Sequence, residues 1–256
     1  METVALGSLK GRWVMTAAIM ASSMAFIDRT ALNVALPALQ TALHATGAAL
    51  FWILNAYLLM LAALITIGGS LGDKIGRKKI FMLGILVFTT GSALSGFASS
   101  VTSLVLFRMV QGIGGAFMIP GSLALITSSI NEKERGKAIG TWSAITTVAS
   151  VGGPILGGAL ADAGLWRYIF FINVPIGLVA VFLLATKVEE TTRENNDRSV
   201  DVIGSIVMAL GLASLTYGSL SMPEKGFQNW QVYLRWLPVY CCYVLSCLSK
   251  AIANTR

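Results

Sequence analysis

The sequence predicts an all-α polytopic membrane protein, and three observations carry that prediction. The 256 residues are 55% hydrophobic. Only 12% are Asp, Glu, Lys or Arg, against about 25% in a soluble domain. Apolar runs of roughly 18 to 25 residues recur, the length a helix needs to cross a bilayer. A transmembrane barrel would instead alternate in segments of about ten residues. The mean hydropathy of +0.73 agrees.

Eight helices are expected, over residues 13–37, 49–69, 80–98, 101–127, 138–160, 166–186, 201–220 and 231–249. The first follows Lys10 and Arg12. Its start looks like a signal peptide, but the apolar pattern resumes after Asp28 and runs to Leu39, and many more spans follow. The second ends in a glycine-rich charged loop, and the third begins beyond it. The fourth contains Arg108 and the fifth the run VGGPILGG. The sixth is followed by the charged link KVEETTRENNDRSVD, beyond which the seventh is expected. At about residue 235 the texture changes. RWLPVYCCYVLSCLSKAIANTR holds all three cysteines and lacks glycine. A terminal helix and the out-of-frame tail of an interrupted gene fit that stretch equally well.

Short connections force sequential helices to alternate direction, and the Lys/Arg bias sets the orientation. Of 19 such residues, 14 fall on the side of the N-terminus. Arg167, Lys225 and Arg235 fall on the other, and Arg29 and Arg108 lie within helices. The expected location is the plasma (inner) membrane, multi-pass, with the N-terminus cytoplasmic. The net charge of +7 is topology signal of this kind, so nucleic acid is not an expected partner. The one histidine, His44, and the clustered cysteines make no metal set. No Ser–His–Asp grouping suggests an enzyme.

Charges deep in a bilayer persist only where they face protein or water and have partners. Asp28 and Arg29 interrupt the first apolar run in AFIDRTALNVALP. They point about 100° apart around a helix and cannot share a face. Asn33 falls near the Asp28 side. Arg108 is the second deep cation, with Gln111 three residues on, on its own face. Asp28 is the only deep carboxylate on offer to Arg108. Such a pair can be a static strut. It can also open and close as a cavity changes access, which would couple protons to transport because an unpaired, poorly solvated carboxylate has a raised pKa.

Gly153, Pro154, Gly157 and Gly158 interrupt the fifth helix, and Gly112, Gly114 and Gly115 the fourth. Small residues let membrane helices approach closely. Generic packing and a bent helix that controls access both fit the fifth-helix run. GGSLGDKIGRKK, residues 68–79, is a candidate turn with Gly69, Gly72 and Gly76. Asp73 there is placed to accept hydrogen bonds from a helix N-terminus, beside Arg77 at the membrane surface. Neither GIGG nor this loop is a nucleotide-binding motif.

Together these segments resemble the major facilitator superfamily, and more narrowly its fourteen-helix drug:proton antiporters. The loop 69-GSLGDKIGRKK-79 matches the signature between helices 2 and 3. The segment 28-DRTALNVALP-37 matches the first-helix motif, and Arg108, Gln111 and Gly112 the fourth. Gly153, Pro154, Gly157 and Gly158 match the fifth-helix antiporter motif, with Ala149 standing where its leading glycine belongs. Trp166, Arg167, Asn173, Pro175 and Gly177 resemble the sixth-helix signature, and Trp52 with Tyr57 the second helix. The resemblance implies the N-terminal six-helix bundle of the major facilitator fold plus one or two further transmembrane helices. The expected layout is a bundle over 1–186, a cytoplasmic linker over 187–200, an added helix pair over 201–249 and a tail over 250–256.

It further implies proton-coupled efflux of drugs or other small molecules, driven by the proton gradient with no cofactor. Asp28, Asn33, Arg108 and Gln111 would belong to the proton-coupling and substrate cavity. Gly69, Asp73, Gly76 and Arg77 would form the cytoplasmic gate, and the fifth-helix glycines with Pro154 the antiporter bend. Expected partners are lipophilic or cationic small molecules, protons, membrane lipids and a second, C-terminal bundle. The competing expectation is a truncated, non-transporting fragment, or a half-transporter that needs such a bundle.

Overall fold

In the computed structural model, residues 3–190, Gly211 and Ser214 are described. The expected seventh and eighth helices and the three cysteines lie outside the described residues, Gly211 and Ser214 apart. Seven helical segments follow in order: α1 (Leu9–Leu43), α2 (Gly47–Ile75), α3 (Arg77–Gly96), α4 (Val101–Ser129), α5 (Glu132–Asp162), α6 (Tyr168–Phe171) and α7 (Asn173–Lys187). The described fold is an all-α, multi-pass membrane bundle. Among the described residues the one β feature is an isolated parallel bridge between Val4 and Ile130.

α1, α2, α4 and α5 overrun the expected spans, and side-chain caps set the starts of the first three. The Ser8 hydroxyl caps α1 through Gly11 N–H, and Thr46 caps α2 through Ala49 N–H. Ser100 and Ser103 form a reciprocal capping box that starts α4. Pro37 does not end α1, which runs on to Leu43. The sixth span is not one helix. It is split at Ile172 into α6 and α7.

Five segments are long and apolar enough to cross a membrane: α2, α3, α4, α5 and the Tyr168–Lys187 segment that joins α6 to α7. The first expected span, α1, does not reach that apolarity, since Asp28, Arg29 and Asn33 sit inside it. It nevertheless packs along α5 and against α7, α4 and α2. α4 is the other organising helix, flanked by α2 and α3.

Glycines set these contacts. A side chain at Gly112 would meet the Tyr57 carbonyl, and one at Gly114 the Phe88 backbone. α4 therefore lies directly on α2 and α3. A side chain at Gly153 would meet Thr30, and one at Gly157 the Ala31 backbone, which brings α5 down onto α1. Trp142 adds a hydrogen bond across this seam, its indole N–H donating to Ser22 Oγ at 3.1 Å. At the end of the bundle where α6 begins, Arg167 donates to the carbonyls of Gly96 and Ala98 at 2.9 and 2.6 Å and stacks over Trp166 at 4.5 Å.

Candidate functional site

Five helical segments converge on one buried polar cluster. α1 supplies Asp28, α4 supplies Arg108 and Gln111, α3 supplies Ser92, α7 supplies Asn173, and α2 lays Tyr57 against it. The first five side chains are no more than 1% exposed. Arg108 Nη1 donates to Asp28 Oδ2 at 2.5 Å and to Gln111 Oε1 at 2.7 Å. Gln111 Nε2 donates to Asp28 Oδ1 at 2.9 Å, and Asn173 Nδ2 donates to the same oxygen at 3.1 Å. Both carboxylate oxygens are thus held, one by a cation and one by two amides.

The shell continues outward. Asn173 Nδ2 also donates to Ser92 Oγ at 2.9 Å, and Ser92 Oγ donates to the Phe170 carbonyl at 2.9 Å. The Arg108 guanidinium lies 4.7 Å from the Tyr57 ring centre and 6.0 Å from that of Phe170, so aromatic faces cover what the carboxylate does not. Arg108 Nε and Asn173 Oδ1 have no hydrogen-bond partner among the described residues. A buried network with two orphan atoms is well held at its centre and incomplete at its edge.

Chemically this is a locked ion pair. Protonating Asp28 would remove its charge attraction to Arg108 and, on one oxygen, the acceptor used either by Arg108 or by Gln111 and Asn173. Of the residues singled out in the sequence for this cavity, Asp28, Arg108 and Gln111 come together and Asn33 does not: it is exposed on the opposite side of α1. Asn173 takes the place expected of Asn33. Its signal was an amide inside the apolar run YIFFINVPIG, visible in the sequence but not assigned to the site. Ser92 gave no such signal.

The surface loop forms a second, separate pair. Arg77 Nη2 donates to Asp73 Oδ1 at 2.9 Å and its Nη1 to the Ala124 carbonyl at 3.2 Å, tying the α2–α3 corner to α4. Asp73 holds no helix N-terminus, contrary to expectation. The carboxylate that does so is Glu190, which accepts from Lys78 N–H at 3.2 Å at the start of α3. Only Gly76 makes the turn, at φ 124°. Gly69 and Gly72 lie inside α2 with open space beside them. Nearby, Lys10 pairs with Glu189 at 2.7 Å, and this hydrogen bond draws the Glu189 carboxyl below the usual carboxylate range. In the antiporter-like run, Gly153 and Gly157 are the contact positions. Gly158 has only ordinary contact with Val34, and α5 passes unbroken through Pro154.

Among the described residues no group of three His, Cys, Asp or Glu side chains could hold a metal ion. The Major Facilitator Superfamily profile matches residues 18–253. The chain is 35% identical, over 97% of its own length and 46% of the relative's, to the tetracenomycin C resistance and export protein of Streptomyces glaucescens. It is 34% identical to the multidrug resistance protein Stp of Mycobacterium tuberculosis, over 90% of this chain and 43% of that one. A crystal structure of a bacterial homologue of the human lysosomal transporter Spinster, inward-facing and occupied, aligns with TM-score 0.62 and 25% identity, covering 85% of this chain and 54% of that one. The chain spans about half the length of the curated relatives it matches.

Proposed function

Because the chain belongs to the Major Facilitator Superfamily, a family of transporters and not of enzymes, we propose that it serves proton-coupled efflux of small molecules. In this reading it is a member of the fourteen-helix branch, in the inner membrane with a cytoplasmic N-terminus. Residues 1–186 form its six-helix bundle, with α1 as one of the six crossings. The observation that carries the proposal is the Asp28–Arg108–Gln111–Asn173 cluster, a titratable carboxylate bonded simultaneously to three donors on two other helices. Loading a proton on Asp28 releases α1, and losing it relocks the bundle. The Asp73–Arg77–Ala124 link and the Gly153/Gly157 seam hold the gate and the α1–α5 contact while that happens. The resistance and export roles printed for the relatives favour drug-like cargo.

Alternating access uses two bundles that rock about a shared site, and the described residues supply one. The transporting unit in this proposal therefore includes a second bundle, and this one alone does not transport. The test is reconstitution in proteoliposomes, with and without the second bundle of a relative, under an imposed pH gradient. Gradient-driven dye accumulation is expected only with both bundles, and is expected to disappear in Asp28→Asn and in Arg108→Ala. Proton-dependent transport that persists in both variants overturns the coupling role.

A further inference from the structure

Arg29 is a deep cation that the buried cluster does not use. It lies 20 positions beyond Leu9 and 14 before Leu43, the ends of α1. At 1.5 Å per residue that is about 30 Å from one end and about 21 Å from the other. Within the span expected from the sequence, residues 13–37, it lies about 24 Å from one end and about 12 Å from the other, well inside a hydrocarbon layer of about 30 Å. Its neighbour Asp28 points into the bundle and is already held by Arg108, Gln111 and Asn173. Arg29 points away, on an exposed stripe of α1 that it shares with Asn33 and Pro37 at intervals of four residues. No hydrogen bond or ion pair to its guanidinium is found among the described residues.

A guanidinium at that depth is too costly to leave facing lipid, so this stripe faces a water-filled or ligand-filled space. Among the described residues, charge at this level is unbalanced: one carboxylate, Asp28, stands against two guanidiniums, Arg29 and Arg108. A wall with an excess guanidinium and an amide one turn away suits an oxyanion, which Arg binds bidentately.

We propose that Arg29, with Asn33, is the anion-recognising wall of the translocation path, and that the cargo carries a carboxylate or sulfonate on an apolar body. This rests on the efflux reading for the existence of a path, and it narrows the sequence-based expectation of lipophilic or cationic small molecules to lipophilic anions. Arg29 sets which molecules are taken, and Asp28 sets the proton.

The experiment is binding, which does not require transport. The purified chain in phosphatidylcholine nanodiscs is titrated with three probes of one apolar body: pyrenebutyrate, pyrenebutanol and pyrenebutyl-trimethylammonium. Empty nanodiscs correct for partition. The expected order is anion tightest, with about a tenfold preference over the alcohol, the scale of one charged hydrogen-bonded contact. Arg29→Gln removes the preference, Arg29→Lys keeps part of it, and Arg29→Glu reverses it toward the cation. Helicity by circular dichroism confirms that the variants fold. Equal affinity for the three probes, or an anion preference that survives Arg29→Gln, overturns the proposal. So does loss of pyrenebutyrate binding when phosphatidylglycerol is added, which would assign Arg29 to lipid phosphate. Failure of efflux in the two-bundle vesicles leaves this binding result standing, and loss of the preference leaves efflux standing.

Discussion

The chain contains two Asp–Arg pairs of the same chemistry in opposite surroundings. Asp28 and Arg108 join two helices and are 0% and 1% exposed. Asp73 and Arg77 are four residues apart at a helix corner, with side chains 53% and 21% exposed. The first pair has lost its water and depends on protein donors for every bond. The second keeps water as an alternative partner. Sequence distance fits the roles. A long-range pair can report on the separation of two helices, whereas a local pair can only fix a corner.

Removing one partner is the sharpest way to separate the two. Asp28→Ala strands the Arg108 guanidinium in a dry site and is expected to lower stability by about 3–5 kcal/mol. Thermal unfolding in detergent, followed by circular dichroism, measures this. Next in size is the seam that holds α1 in place. Gly157→Val drives a side chain into the Ala31 backbone and is expected to cost about 1–3 kcal/mol or more, by the same measurement. A neutral Gly157→Val would mean that α1 and α5 are not in contact as described.

At the corner, Gly76→Ala forces a side chain into a positive-φ conformation beside Glu190, with an expected loss of about 1–3 kcal/mol. Gly69→Ala, inside α2 with open space beside it, is expected to gain up to about 1 kcal/mol from helix propensity. Opposite signs for two glycines of one sequence motif are the prediction, and equal signs contradict it. Arg77→Ala is expected to cost under about 1 kcal/mol, since its pair is half solvated. The smallest effect belongs to Lys10–Glu189. The Glu189 carboxyl is lowered by its lysine hydrogen bond, so its contribution is present above the ordinary carboxylate range and fades as pH falls through the lowered value. Glu189→Gln should differ from the parent chain at neutral pH and converge with it in strong acid, as read by unfolding at both pH values.

The sequence made the membrane class legible because apolarity is additive along a chain, and the Asp28–Arg108 partnership because deep charges leave few choices. Helix ends were less legible. Ser8, Thr46 and Ser100 cap helices at polar positions where an apolarity limit has already stopped counting. Asn33 and Asn173 show the harder limit. Both are amides in apolar helices, and which one reaches Asp28 is set by the facing of α1 and α7, a tertiary fact. The same holds for Asp73 and Glu190. Composition placed an acid beside the α3 N-terminus, but the acid that arrives there comes from 112 positions away along the chain.

Arg167 belongs to the cation-poor side of the sequence-based topology, where a positive charge works against correct insertion. Its guanidinium holds the carbonyls at the end of α3, groups made 69 and 71 positions earlier. The acceptors precede the donor along the chain, so a charge on the unfavoured side serves as a latch whose socket is made first.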